Sequence, residues 1–259
     1  MAARMQCSAR TPHIHVTRNA LLVQDGPRHN TYSDKRQHNT HSSGPMSIIH
    51  PATVIISGGT GSGKTQLTRS LLEHHRLTFV NLNNKPNVLW CYGVYQPVFR
   101  EAIPNVTVQY KDNLAEVEDI ERVKPDILVV DDLMTEKGND CMMQNLFTKL
   151  SHHKNVTVIF ITQNIFAKGH CNLKRNAHYL IMMRNRSDKS QISLLGRQLY
   201  PRSKTQLEHF YESYDDATKQ KYGYLFIDVS PDSNEEQKLK SNILPDSSGA
   251  LRVTVYVLK

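Results

Sequence analysis

The stretch Gly58-Gly59-Thr60-Gly61-Ser62-Gly63-Lys64-Thr65 fits the phosphate-loop pattern G-x-x-x-x-G-K-[ST] and constrains this chain more than any other segment. Before it runs Thr53-Val54-Ile55-Ile56-Ser57, short, apolar and β-branched, which reads as a buried strand. After it, Gln66 to His75 reads as a helix with Leu67, Leu71 and Leu72 on one face. Each residue type has a physical task there. Glycines let backbone N–H groups curl around phosphate oxygens without Cβ clashes, and the helix N-terminus adds the positive end of its dipole. Lys64 supplies a mobile point charge for β- and γ-phosphates, and the Thr65 hydroxyl suits Mg²⁺. The candidate nucleotide-contacting residues are therefore Gly58, Gly59, Thr60, Gly61, Ser62, Gly63, Lys64, Thr65 and Gln66, and the expected cofactors are ATP and Mg²⁺.

A second run, Ile127-Leu128-Val129-Val130-Asp131-Asp132, reads as a Walker B strand. Its apolar residues bury it in a sheet, and the two carboxylates emerge at the C-terminal edge, where open α/β sheets bind ligands. Asp131 is the candidate metal residue. Asp132 is the candidate base for the attacking water, although Asp is shorter than the Glu common at that position. A third strand, Val156–Thr162, ends in Gln163-Asn164, amides suited to contact a γ-phosphate or the lytic water in ATPases with an inserted strand. Gln163 is preferred and Asn164 second; a plain strand-end cap is the alternative. Arg184, Arg186 and Arg197 follow a fifth core strand, His178–Met183, and Arg186 is the preferred arginine finger. The same arginines suit DNA phosphates equally well.

From Pro51 the chain alternates strands and helices, the mark of a parallel α/β sheet. Further strands are expected at 88–92, 106–110 and 222–228, and helices at 113–123, 140–153, 190–199 and 205–214. Residues 1–45 are rich in His, Asn, Thr, Ser and Arg and show no periodic apolar stretch, so they read as a disordered tail. Residues 46–230 form the expected ATPase domain and 231–259 a C-terminal extension, in which 251–258 alternates like an edge strand.

The net charge of +8 favours an acidic polymer as partner. The charge is concentrated: nine Lys/Arg, among them Lys168, Lys174, Arg175 and Lys189, lie between 164 and 204 against the single acid Asp188. A solvated surface is the plainer reading of such a block. No apolar run approaches the ~18 residues that span a bilayer, and Ala20-Leu21-Leu22-Val23 is too short for a signal-peptide core. Cys7, Cys91, Cys141 and Cys171 are scattered without pairing or metal spacing and read as free thiols in a reducing, intracellular compartment.

Taken in order, GGTGSGKT, ILVVDD, VIFITQN, MMRNRSDKSQISLLGRQLYP and KYGYLFIDV resemble the DNA-packaging ATPases of the FtsK–HerA superfamily. Nearest in pattern are the poxvirus-type enzymes carried by Polinton (Maverick) and adintovirus-like elements. The resemblance covers roughly residues 48–230, and the TQN strand end and the RNRSD…GRQLYP segment discriminate best. It implies an α/β P-loop NTPase of the ASCE or RecA-like kind, with a mainly parallel sheet sandwiched by helices. It further implies a homo-oligomeric ring that moves double-stranded DNA, a capsid or portal partner, and a place in the host nucleus or the virion. Three readings compete. One is a nucleic-acid-binding protein using ATP as a structural or switching ligand without turnover. A small-molecule kinase would need an arginine-rich lid and an acceptor pocket. A AAA+ ATPase would need a C-terminal helical lid where Gly223–Asp228 reads as strand.

Overall fold

The computed structural model describes residues 48–133, 155–167 and 174–258, together with the backbone of a strand at 15–21. The expected helix at 140–153, Lys168, and Cys7, Cys141 and Cys171 lie outside the described residues.

The apolar β-branched runs form the centre of the sheet. β3 (Thr53–Ser57), β7 (Ile127–Asp131), β8 (Thr157–Thr162) and β9 (Tyr179–Met183) are buried along their whole lengths, as expected of strands covered on both faces. β5 (Asn87–Tyr92) and β6 (Thr107–Asp112) complete a parallel set in the order β6-β5-β7-β8-β3-β9. β8 thus separates the strand entering the phosphate loop from the strand carrying Asp131. On the far side of β9 the sheet turns antiparallel through β10 (Tyr224–Asp228), β11 (Leu239–Ser241), β12 (Leu251–Val257) and β1 (His15–Leu21). A separate parallel pair joins β2 (Ile48–Ile49) to β4 (Phe79–Val80).

Helices cover both faces. α1 (Lys64–Glu73) packs Leu67, Leu71 and Leu72 against Val54, Ile56, Val129 and Ile161. A short α2 (His75–Thr78) follows. On the other face, α3 (Val117–Val123), α4 (Ser190–Leu199) and α5 (Lys204–Ala217) bring Ile120, Leu195, Phe210 and Tyr214 onto Leu128, Val130, Phe160 and Leu180. The fold is an α/β P-loop NTPase fold with its sheet sandwiched by helices.

Two expectations are corrected. Within the first 45 residues, His15–Leu21 is an edge strand in register with Leu251–Val257. Such pairing needs backbone partners along an open edge more than apolar periodicity, so composition conceals it. The boundary expected at 230/231 has no counterpart, because β11 and β12 extend the same sheet and bury Leu239, Ile243, Val253 and Tyr256. Smaller differences lie at element ends. α1 starts at Lys64, with Gly63 as its N-cap. α3 starts only at Val117, where Glu116 and Asp119 close a capping box. Tyr222 and Gly223, expected as strand, form a turn before β10.

Candidate active site

Because β3, β5, β7, β8 and β9 are parallel, their C-terminal ends share one edge of the sheet. That edge gathers the loops starting at Gly58, Gly93, Asp132, Gln163 and Arg184. A cavity of about 660 Å³ opens there, lined by the phosphate loop, Gln96, Asp131, Asp132, Gln163 and Tyr222.

The loop is anchored at its base, where the Gly58 N–H donates to the Thr162 carbonyl (3.3 Å) and the Gly59 N–H to that of Arg184 (3.4 Å). Gly63 has φ 94°, a left-handed conformation that a side chain would strain. Lys64 Nζ donates to the carbonyls of Gly58 (2.9 Å) and Gly59 (3.1 Å), so the ammonium lies over the loop. Burial lowers the Lys64 pKa, opposed by the nearby charges of Asp132 and Asp131. Gln66 is exposed at the cavity rim.

The two candidate metal residues, Thr65 and Asp131, lie in contact. The Thr65 hydroxyl donates to Asp131 Oδ2 at 3.0 Å and accepts from Gln96 Nε2 at 3.2 Å. Asp131 is 3% exposed, and burial raises its carboxyl to about 6. A buried carboxylate held so far above its ordinary value, beside a hydroxyl oxygen, is a donor set that a hard divalent cation would suit. Thr65 and Asp131 therefore fit Mg²⁺.

Asp132 and Gln163 also come together. Gln163 Nε2 donates to Asp132 Oδ2 at 3.0 Å, and Gln163 Oε1 accepts from Thr60 Oγ1 at 3.1 Å. One amide thus bridges the phosphate loop and the candidate base. Asn164 is used locally: its Oδ1 accepts the Phe166 N–H, and its own N–H donates to Thr162 Oγ1. Gln163, not Asn164, faces the cavity.

Arg186 and Arg184 are exposed and stand outside the phosphate cavity. They line a neighbouring cavity of about 660 Å³ on the outer side of the loop, with Lys219 and Lys221. Arg197 lies on exposed positions of α4, away from both cavities. Arg184 and Arg186 thus share a cavity with Thr60 and Gln163, and Arg197 does not.

Three residues escape sequence reasoning. Gln96 follows β5 as the extended residue before a short 3-10 helix, Pro97–Arg100, with no motif of its own, and only the sheet order brings it to Thr65. Gln191, buried in α4, donates through Nε2 to the Gln163 carbonyl (3.1 Å) and to Asp188 Oδ2 (3.0 Å), and accepts the Ile165 N–H (3.2 Å). It sits inside the discriminating RNRSD…GRQLYP segment, which is the one signal that could have found it. Tyr222 lies within a run read as strand.

Cys91 is buried, and burial pushes its thiol up to about 12, as a free unreactive thiol requires. Among the described residues no helix is long and apolar enough to cross a membrane.

No family model matches this sequence, and no curated protein sequence matches it either. Among solved structures it is similar to the ATPase DotB of Legionella pneumophila, with 14% identity and a TM-score of 0.38 over 51% of this chain and 41% of DotB. The chain thus spans less than half of DotB. It is similar to B204, the DNA-packaging ATPase from Sulfolobus turreted icosahedral virus, with 14% identity and a TM-score of 0.46 over 70% of this chain and 94% of B204. It is also similar to the KaiC-like protein PH0186 of Pyrococcus horikoshii, with 12% identity and a TM-score of 0.42 over 78% of this chain and 90% of that protein. Strand order and loop geometry establish the fold independently of these likenesses.

Proposed function

We propose that this chain is an ATPase that couples ATP hydrolysis to movement along double-stranded DNA, in the manner of a genome-packaging motor. The observation that carries the reading is the amide of Gln163, bonded at once to Thr60 of the phosphate loop and to Asp132. An amide so placed can sense a γ-phosphate and position a water for the neighbouring carboxylate. Lys64 and the loop N–H groups would bind the phosphates. Thr65 and Asp131 would hold Mg²⁺, which when bound neutralises charge on the β- and γ-oxygens. Asp132 would orient or deprotonate the water.

DNA as partner is supported by the net charge of +8 and by the exposed Arg184, Arg186, Lys189 and Arg197, all C-terminal to β8. Contact with duplex phosphates fits a surface rich in cations and poor in aromatic side chains. On this reading the working form is a ring of identical subunits, with Arg186 offered to a neighbour's γ-phosphate and a capsid or portal as docking partner. The poxvirus-type enzymes of Polinton elements are the specific kind proposed, with a workplace in the nucleus or virion.

The test is phosphate release by purified protein, with and without long duplex DNA, beside Lys64→Ala. The expected outcome is DNA-stimulated turnover that falls with added salt and drops at least a hundredfold in the variant, on the scale of about 3 kcal/mol of lost transition-state stabilisation. Nucleotide binding without turnover, with DNA binding indifferent to nucleotide, would leave a binding protein on an ATPase fold.

A further inference from the structure

The antiparallel β10 enters the sheet from the same edge at which the parallel strands leave it, since Tyr224 pairs with Met183 at the end of β9. Its leading turn therefore arrives at the phosphate loop, carrying Tyr222. Three features of this residue go unexplained by the roles assigned so far. First, its backbone is left-handed, with φ 64°, a conformation uncommon for a bulky side chain. The turn imposes it: the Gly223 N–H donates to the Gln220 carbonyl, and a Cβ on Gly223 would lie 2.3 Å from the Ala217 carbonyl oxygen. Second, the side chain is 55% exposed, so burial does not account for an aromatic there. Third, the ring lies on Gly63, where an added Cβ would stand 2.8 Å from Tyr222 Cδ1.

Thr60 marks the end of the loop that meets Gln163 and Asp132, where the γ-phosphate belongs. Gly63 is the other end, where α1 begins, and a nucleoside leaving the α-phosphate passes there. Among the described residues lining the phosphate cavity, Tyr222 is the only aromatic one, and the same holds for the neighbouring cavity. The Lys221 ammonium stands over the ring, 4.8 Å from its centroid, where a stacked base would take its place and the flexible lysine would move to the side.

We propose that Tyr222 is the platform on which the purine base of the bound nucleotide stacks, with Lys221 flanking it. The proposal deepens the reading of the loop as a nucleoside-triphosphate site and rests on it. A base within duplex DNA is already stacked in the helix, so the base that fits an isolated ring is that of a free nucleotide. Stacking needs the π-face and not the hydroxyl, so phenylalanine should serve as well as tyrosine.

The experiment is calorimetric titration of the full chain, with Mg²⁺ present, using ATP and inorganic tripolyphosphate as separate ligands. Wild type, Tyr222→Ala and Tyr222→Phe are compared. ATP should bind wild type more tightly than tripolyphosphate. Tyr222→Ala should lose about tenfold in ATP affinity and nothing in tripolyphosphate affinity, and Tyr222→Phe should keep both. Unchanged ATP affinity in Tyr222→Ala would overturn the proposal. So would a parallel loss of both ligands, which would make Tyr222 a support for Gly63. A wild-type chain that binds tripolyphosphate as well as ATP would overturn it while leaving the phosphate loop intact. A chain that binds neither would overturn the nucleotide reading as well.

Discussion

Asp131 sits under two opposed demands. Folding buries its carboxyl beside Thr65, and that burial raises it to about 6, against about 4 in an unfolded chain. Between these values the folded protein holds a proton that the unfolded chain has released. Stability therefore falls as pH rises through that window and stays lowered above it. Asp131→Asn removes this cost while leaving an amide oxygen to accept from Thr65. Without nucleotide or metal, the variant should be more stable than its parent at pH 7.5, by up to about 3 kcal/mol, with the gain shrinking towards pH 4. Thermal melts of both proteins across that range check it. The difference between them isolates Asp131, since buried His50, whose pKa burial lowers, pulls stability the opposite way in both. Mg²⁺-dependent ATP binding should fall in the same variant. The identities of Lys64, Thr65, Asp131, Asp132 and Gln163 were legible in the sequence because each sits at the end of an uninterrupted apolar strand or inside a motif. Gln96 and Gln191 were not, because their importance lies in partners 31 and 28 residues away that only the sheet order brings close.

At the level of elements, α4 is tied to the end of β8 by one buried side chain. Gln191 satisfies the Gln163 carbonyl and the Ile165 N–H, and through Asp188 it reaches the Arg184–Ser190 loop. Asp188 and Asn185 in turn fold that loop by accepting from Ser187, Ser190 and the Asp188 N–H. Gln191→Leu keeps the helix and its approximate volume but strips partners from two backbone groups, costing about 1–3 kcal/mol. The expected kinetic outcome is a fall in kcat of about tenfold or more with ATP affinity within about twofold of wild type, because Gln163 is held less firmly while the phosphate loop is untouched. Turnover assays beside calorimetric ATP titration separate the two; an equal loss in both would show a general loosening of the site. Strands such as β3 and β7 were readable to the residue, since continuous β-branched runs leave little choice. β1 was not, because edge pairing depends on an available neighbour and hardly on its own composition.

For the molecule as a whole, the sheet does not end where the motifs end. Residues beyond 230 bury Leu239, Ile243, Val253 and Tyr256, and the Tyr256 hydroxyl bonds to Asp216 at 2.9 Å and Ser241 at 3.1 Å. Four such side chains represent about 6–12 kcal/mol of burial, on the order of a whole domain's net stability. A chain truncated after residue 230 should therefore show no cooperative thermal transition by circular dichroism, whereas Tyr256→Phe should lose only about 1 kcal/mol. The inserted strand β8 carries a different consequence. Its end is bonded on one side to the entry of the phosphate loop, where Gly58 donates to Thr162, and on the other to the aspartate pair, where Asp132 donates to Ile161. The two halves of the catalytic cleft are thus riveted to a common spine and cannot part like jaws. For the motor proposed above, the expected source of a stroke is then the rim about that spine, in the segments around Gln96, Gln163, Arg186 and Tyr222.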